Sequence, residues 1–260
     1  MDCLWSQWPK VAERIRRSRH LLLLLDYDGT LAPIAPSPEQ ATLPPATKRL
    51  LQKLSRSPTV TVALISGRAL AELRQLVGLR DLTYIGNHGL EMWRDGRRTV
   101  VDIPESSRKA LGEILPRLAK LASEFHGAYL EDKGPALSLH YRLVPRDEAP
   151  RLKAAFRHEV LPFVHSGDFT LLKGKRVIEV RAGVNWTKGH AARSLVKRMR
   201  RRSLLPIYIG DDRTDEDAFR LLSDGITIRV GFHRRSGADY YVRGVREVHS
   251  LLQWMSAACA

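Results

Sequence analysis

The chain reads as an α/β protein, a parallel sheet with helices on both faces, interrupted by a smaller α+β layer. Three observations predict this. Residues 21–25 are five consecutive leucines, and residues 59–65 and 205–209 are runs dominated by apolar and β-branched residues. Short continuous runs of this kind suit strands buried on both faces, as parallel strands are. Stretches with helical spacing separate them, which makes βαβ units with right-handed crossovers. Between 97 and 182 the order becomes helix, two strands, helix, two strands. The expected organisation is a discontinuous core, 1–96 and 183–260, around an insertion at 97–182.

Taken in order, residues 4–19 alternate apolar and basic positions at helical spacing, with Pro9 near the start, and lead into the strand at 21–25. Pro33, Pro36 and Pro38 force an extended loop before a helix at about 45–56. The strand at 59–65 ends in Ser66-Gly67-Arg68, a helix follows over 69–77, and a short strand over 82–85 ends in Gly86-Asn87-His88-Gly89. Arg94-Asp95-Gly96-Arg97 marks a hairpin turn.

In the insertion, Leu111, Ile114, Leu115, Leu118, Leu121 and Phe125 give a helical stripe, although Gly112 and Pro116 interrupt it. Alternating segments at 136–144, a helix near 147–160 and strands within 169–181 complete it. Beyond Asn185 come a helical stripe (Ala191, Ala192, Leu195, Val196, Met199), a strand at 205–209 ending in Gly210-Asp211-Asp212, and a helix with Thr214 as its N-cap. A strand at 226–230, an edge strand at 240–242 and a closing helix at 245–255 finish the chain.

The 260 residues suffice to bury a real core, and 43% hydrophobic with 27% charged residues is ordinary for a globular protein. The net charge of +15 is not. Basic clusters at 14–19, 197–202 and 234–235 carry no interleaved aromatic residues for base stacking, and the first two fall on helices as solvated faces; no nucleic-acid partner is expected. Cys3 and Cys259 make no disulfide framework, and no run approaches the ~20 apolar residues of a membrane span. The basic run before the leucines lacks the apolar length and cleavage residues of a signal peptide. A cytoplasmic protein without a membrane partner is expected.

The chemistry gathers at strand ends. In open α/β sheets ligands bind beyond the carboxyl ends of the strands. Asp26 and Asp28 follow the leucine run, Ser66 follows the second strand, Lys188 opens a helix, and Asp211, Asp212 and Asp215 follow the 205–209 strand. Crowded carboxylates repel unless protonated or neutralised, and oxygen-only donors favour Mg²⁺. Asp26 can attack phosphorus as a nucleophile, while Asp28 protonates the leaving alcohol and then activates water. Ser66 and backbone N–H groups near Gly29 can hold phosphoryl oxygens. Lys188, placed where the helix dipole disfavours a cation, makes sense as a clamp on phosphate. Asp211 fits a metal ligand, with Asp212 and Asp215 as its partners, while Glu216 and Asp217 complement the helix dipole.

Asp26-Tyr27-Asp28-Gly29-Thr30-Leu31, Ser66-Gly67-Arg68, Lys188 and Gly210-Asp211-Asp212 resemble the four motifs of haloacid-dehalogenase-superfamily phosphatases. More narrowly, Gly86-Asn87-His88-Gly89-Leu90-Glu91 and the ten residues from Gly210 to Phe219 resemble trehalose-6-phosphate phosphatases, with similarity over about 20–255. The resemblance implies a Rossmann-like core with an α+β cap that sets substrate specificity. It implies Asp26 as nucleophile, Asp28 as acid/base, and Mg²⁺ held by Asp26, the Asp28 carbonyl and Asp211. Ser66 and Lys188 would bind the phosphoryl group. Gly67, Arg68, Asn87, His88 and Glu91 would line the substrate site, and Glu131, Lys133, Arg142 and Glu179 in the cap would meet sugar hydroxyls. His140 reads equally well as a packed strand residue.

The expected reaction is hydrolysis of trehalose 6-phosphate by a free-standing enzyme, with cap closure excluding water and functional coupling to a separate trehalose-phosphate synthase left open. The alternatives are the same chemistry on sucrose phosphate or mannosylglycerate phosphate, and a non-catalytic sugar-phosphate sensor. The intact Asp26/Asp28 pair argues against the sensor.

Overall fold

The computed structural model describes residues 1–35, 40–174, 176–199 and 203–259. Pro36 and Pro38, and the end of the basic cluster at 200–202, lie outside them. The described chain forms two compact units, Met1–Val100 with Trp186–Ala260, and Val101–Asn185.

The first unit opens with β1 (Asp2–Cys3), α1 (Trp8–Arg17), β2 (His20–Asp26), α2 (Pro45–Ser55), β3 (Val60–Ile65), α3 (Leu70–Val77), β4 (Thr83–Gly86), β5 (Glu91–Arg94) and β6 (Arg97–Val100). The second unit holds α4 (Glu105–Ser123), β7 (Tyr129–Asp132), β8 (Ala136–His140), α5 (Ala149–His165), β9 (Phe169–Gly174) and β10 (Val177–Ala182). The chain then returns to the first unit with α6 (Lys188–Met199), β11 (Leu204–Gly210), α7 (Glu216–Leu221), β12 (Ile226–Val230), β13 (Tyr240–Val242) and α8 (Val245–Ala258).

The large sheet runs β1-β13-β12-β11-β2-β3-β4-β5-β6, parallel from β1 to β4 and antiparallel beyond. β2 is central, and its leucines divide by parity. Leu21, Leu23 and Leu25 join one buried cluster with α1, α2, α3 and α8, whereas Leu22 and Leu24 join another with α6 and α7. Every one is at most 2% exposed. Truncating any of them to Ala would cost about 2–5 kcal/mol by lost transfer energy and cavity formation. This double burial is what carries Asp26 to the carboxyl edge of the sheet. The strand order reverses there, since β3 lies on one side of β2 and β11 on the other.

In the second unit α4 and α5 cover one face of the sheet β7-β8-β10-β9 through Leu137, Leu139, Ile178 and Val180. The alternate residues Tyr129, Glu131, Ser138, His140 and Glu179 therefore project from the other face.

Several local expectations are corrected. The unit starts at Val101 rather than 97 because β6 pairs with β5 in the large sheet, and it ends at Asn185 rather than 182. The two strands after α4 are β7 and β8, not two segments within 136–144, with Gly134 at positive φ in the turn between them. α4 runs through both Gly112 and Pro116 because its apolar stripe is buried. β13 is not an edge strand, since β1 pairs outside it. No described helix is long and apolar enough to cross a membrane.

Candidate active site

At the carboxyl edge of the first unit's sheet the backbone is shaped around acids. Gly29 adopts φ +80°, and a Cβ there would lie 2.1 Å from an Asp211 oxygen. Gly210 ends β11 against Asp215, whose Cγ would sit 2.3 Å from an added Cβ. Both glycines are required by this close approach rather than by loop flexibility. Asp212 caps the turn Arg213–Asp215 by accepting from the Thr214 N–H, and Asp215 accepts from the Asp212 N–H at 3.1 Å. The N-cap expected at Thr214 is thus Asp212, in a reciprocal capping box.

Lys188, the first residue of α6, is 3% exposed. Its Nζ donates to Asp26 Oδ1 at 2.7 Å and to Asp215 Oδ1 at 2.9 Å, and stands 3.9 Å from Asp212. The Tyr208 hydroxyl also donates to Asp215 Oδ1, at 2.7 Å. Burial alone would strip the lysine of its proton, but Asp215 and Asp26 outweigh it and hold the ammonium protonated. Burial raises the Asp26 carboxyl well above its usual value, and Asp215, Asp212 and Asp211 reinforce this against the pull of Lys188. Asp211 is pushed up to about 7, by burial and then by Asp212 and Asp215. Partial burial would raise Asp212, but Lys188 and the Thr214 hydrogen bonds bring it down to about 2.

One lysine thus faces four carboxylates, a local excess of negative charge that a divalent cation would relieve. Oxygens of Asp26, Asp211 and Asp215 lie within 4.8 Å of one another, an all-oxygen donor set that fits Mg²⁺. Among the described residues the Asp211 carboxylate accepts no hydrogen bond, which leaves it available to a cation. Asp215 is occupied by Lys188, Tyr208 and the Asp212 backbone, and so supports the cluster from behind.

Beside this cluster Arg68, 8% exposed, in the bend before α3, grips Asp28 through two hydrogen bonds of 2.7 Å and pairs with Glu72 in the first turn of α3. Ser66 accepts from the Arg68 N–H at 3.1 Å, and its carbonyl accepts from the His88 N–H at 3.0 Å. Asn87 and His88 hold positive φ of 50° and 54°, which puts the His88 ring against Gly67. Such backbone is held by its surroundings, here by Asn87 N–H donating to the Arg68 carbonyl and Trp186 Nε1 donating to the Gly89 carbonyl, both 2.8 Å. Glu91, expected to line the substrate site, is buried, accepting from Asn87 Nδ2 at 2.7 Å and from Arg98. It braces the Asn87–His88 turn.

The second unit gathers its own polar group. Glu179 Oε2 accepts from Lys133 Nζ at 2.9 Å and from Ser138 Oγ at 2.5 Å, while Glu131 Oε2 accepts from His140 Nε2 at 2.8 Å and faces Lys133 Nζ at 3.8 Å. Burial would raise Glu131, but the His140 hydrogen bond and Lys133 hold it below its usual value. Arg142 sits half-buried in the turn after β8. Sequence reasoning missed Ser138 and Tyr208: a serine in an apolar strand and a tyrosine in a buried strand carry no local signal of the carboxylates they serve.

A family model described as trehalose-phosphatase matches residues 24–242. An uncharacterized glycosyl hydrolase of Mycobacterium tuberculosis is 36% identical over 88% of this chain, which spans only 18% of that relative's length. A probable trehalose-phosphate phosphatase of Oryza sativa subsp. japonica is 29% identical over 95% of this chain and 72% of its own. The C-terminal domain of a Candida albicans trehalose-6-phosphate phosphatase superposes with a TM-score of 0.79 at 25% identity, covering 96% of each chain. With four motif regions drawn to one sheet edge and this match over most of its length, the chain belongs to the trehalose-phosphatase family.

Proposed function

We propose that this chain hydrolyses trehalose 6-phosphate to trehalose and inorganic phosphate with the help of Mg²⁺. The observation that carries the reading is the buried contact of Asp26 with Lys188 at 2.7 Å, inside a set of carboxylates whose negative charge exceeds what that one lysine offsets.

An Asp26 carboxylate oxygen attacks phosphorus, and the bond from phosphorus to the sugar oxygen breaks as the aspartyl-phosphate forms. Asp28 exchanges its Arg68 partner for the departing sugar oxygen and gives it a proton. In the second half Asp28 takes a proton from water, whose oxygen attacks phosphorus and frees Asp26 and phosphate. Lys188 and the Ser66 hydroxyl hold phosphoryl oxygens throughout. Asp26, Asp211 and the Asp28 carbonyl would hold the Mg²⁺, with Asp212 and Asp215 in support; the ion offsets the negative charge brought by the phosphate. Gly67, Arg68, Asn87 and His88 shape the mouth of this site. Glu131, Lys133, Glu179 and Arg142 recognise sugar hydroxyls, which a trehalose-phosphate synthase would supply in phosphorylated form.

The test is phosphate release from trehalose 6-phosphate, sucrose phosphate, mannosylglycerate phosphate and glucose 6-phosphate, with Mg²⁺ or with excess EDTA, for the wild type and Asp28→Asn. Trehalose 6-phosphate is expected to be preferred, and both EDTA and Asp28→Asn to abolish turnover. Equal rates on all substrates would remove the specificity, and turnover retained in Asp28→Asn would remove its acid/base role.

A further inference from the structure

We infer that Tyr129 is a specificity-determining residue, an aromatic wall for the apolar face of a sugar ring beside the Glu131–Lys133–Glu179 group. The inference rests on the sugar-phosphate reading and adds to it a residue that the motifs do not contain.

Tyr129 and His140 stand opposite one another on the antiparallel strands β7 and β8, and their rings stack with centroids 4.4 Å apart and planes 4° from parallel. The next row of the same face is Glu131, Ser138 and Glu179, also in register. His140 ties the two rows together, stacking on Tyr129 while donating to Glu131. Tyr129 is nevertheless 47% exposed, a large ring kept in one orientation at the surface.

A saturated sugar carries hydroxyls around its rim and C–H groups on its faces. The charged row offers donors and acceptors for the rim; a flat ring in the adjacent row offers dispersion contact for a face. Nothing local in the sequence marks it, because Tyr-Leu-Glu-Asp has no strand alternation to speak of and the stack depends on β7–β8 register.

The experiment measures phosphate release from trehalose 6-phosphate and from p-nitrophenyl phosphate, which has no sugar, for the wild type, Tyr129→Ala and Tyr129→Phe. Inhibition by added trehalose gives a second readout. Losing the ring should raise KM for trehalose 6-phosphate about ten-fold, the scale of one aromatic contact. kcat should stay within about two-fold, trehalose inhibition should weaken in parallel, and p-nitrophenyl phosphate turnover should not change. Tyr129→Phe should match the wild type within about two-fold. An unchanged KM in Tyr129→Ala, or an equal loss on both substrates, overturns the inference. A wild type that cleaves p-nitrophenyl phosphate but not trehalose 6-phosphate overturns the sugar-phosphate reading itself.

Discussion

Arg68 holds Asp28 by both carboxylate oxygens, Nε to Oδ2 and Nη2 to Oδ1, each at 2.7 Å. The planar guanidinium matches the carboxylate as a compact ammonium cannot. Glu72 takes another edge of the guanidinium, and the Tyr27 ring lies 5.4 Å from its centre. Asp28 is thereby fixed in place by a residue forty positions further along the chain.

Arg68→Ala is expected to cost about 1–3 kcal/mol of stability, since Asp28 remains partly solvated while Glu72 loses its cation. Phosphate release should fall at least about ten-fold, and Arg68→Lys should recover only part of it, because one ammonium cannot make the two-pronged contact. Urea melts and steady-state kinetics on the three proteins check this; a wild-type kcat in Arg68→Ala would show that Asp28 needs no such hold.

Gly29→Ala is expected to cripple the metal site. The added Cβ would lie 2.1 Å from Asp211 Oδ2 at a backbone φ of +80°. Displacing Asp211 should weaken Mg²⁺ binding about 10–100-fold, the scale seen when the support of a metal ligand is disturbed. Calorimetric titration with Mg²⁺ reads the effect directly.

Asp211→Asn and Asp215→Asn should separate. Asp211 accepts no hydrogen bond among the described residues, so its replacement should mainly reduce Mg²⁺ affinity. Asp215 is fully buried and accepts from Lys188, Tyr208 and the Asp212 backbone. Its replacement leaves Lys188 short of a counter-charge and should cost about 2 kcal/mol of stability. If Asp215→Asn melted like the wild type while losing Mg²⁺, the supporting role given to Asp215 would be wrong.

The Glu131–His140 pair sets a pH dependence of stability in the second unit. The Glu131 carboxyl is held below its ordinary value of 4.5, so its contribution is complete above pH 4.5 and is lost as pH falls through the lower, folded value. Glu131→Gln should therefore destabilise at pH 7 and converge on the wild type toward pH 3. Urea midpoints across that range give the comparison; a constant gap between the two proteins would exclude the Glu131 carboxylate as the source.

Much of the core was legible because its strands are extreme. Five leucines with no polar break leave only a strand buried on both faces, and β3 and β11 follow the same rule. The acids just beyond them had to lie at the sheet's carboxyl edge. The elements that escaped are those whose pattern is weak. β1 is two residues long and exists through its pairing with β13. β7 keeps Leu130 on the apolar core and turns Tyr129 and Glu131 the other way, so its sequence looks like a polar loop. At Asp212 the competition lay between two good capping residues two apart, and the acid that could also receive from Thr214 won.

What the sequence determined by itself was place: Asp26, Ser66 and Asp211 sit at the ends of buried strands, because continuous apolarity admits no other location. Tertiary structure decided the partnerships. Lys188 reaches Asp26 across 162 positions, Arg68 takes Asp28, Glu91 becomes a brace, and Tyr129 lies flat on His140. Those pairings follow from strand order, register and side-chain rotamer, which bring distant residues within three or four ångströms and leave no mark on the local periodicity of the chain.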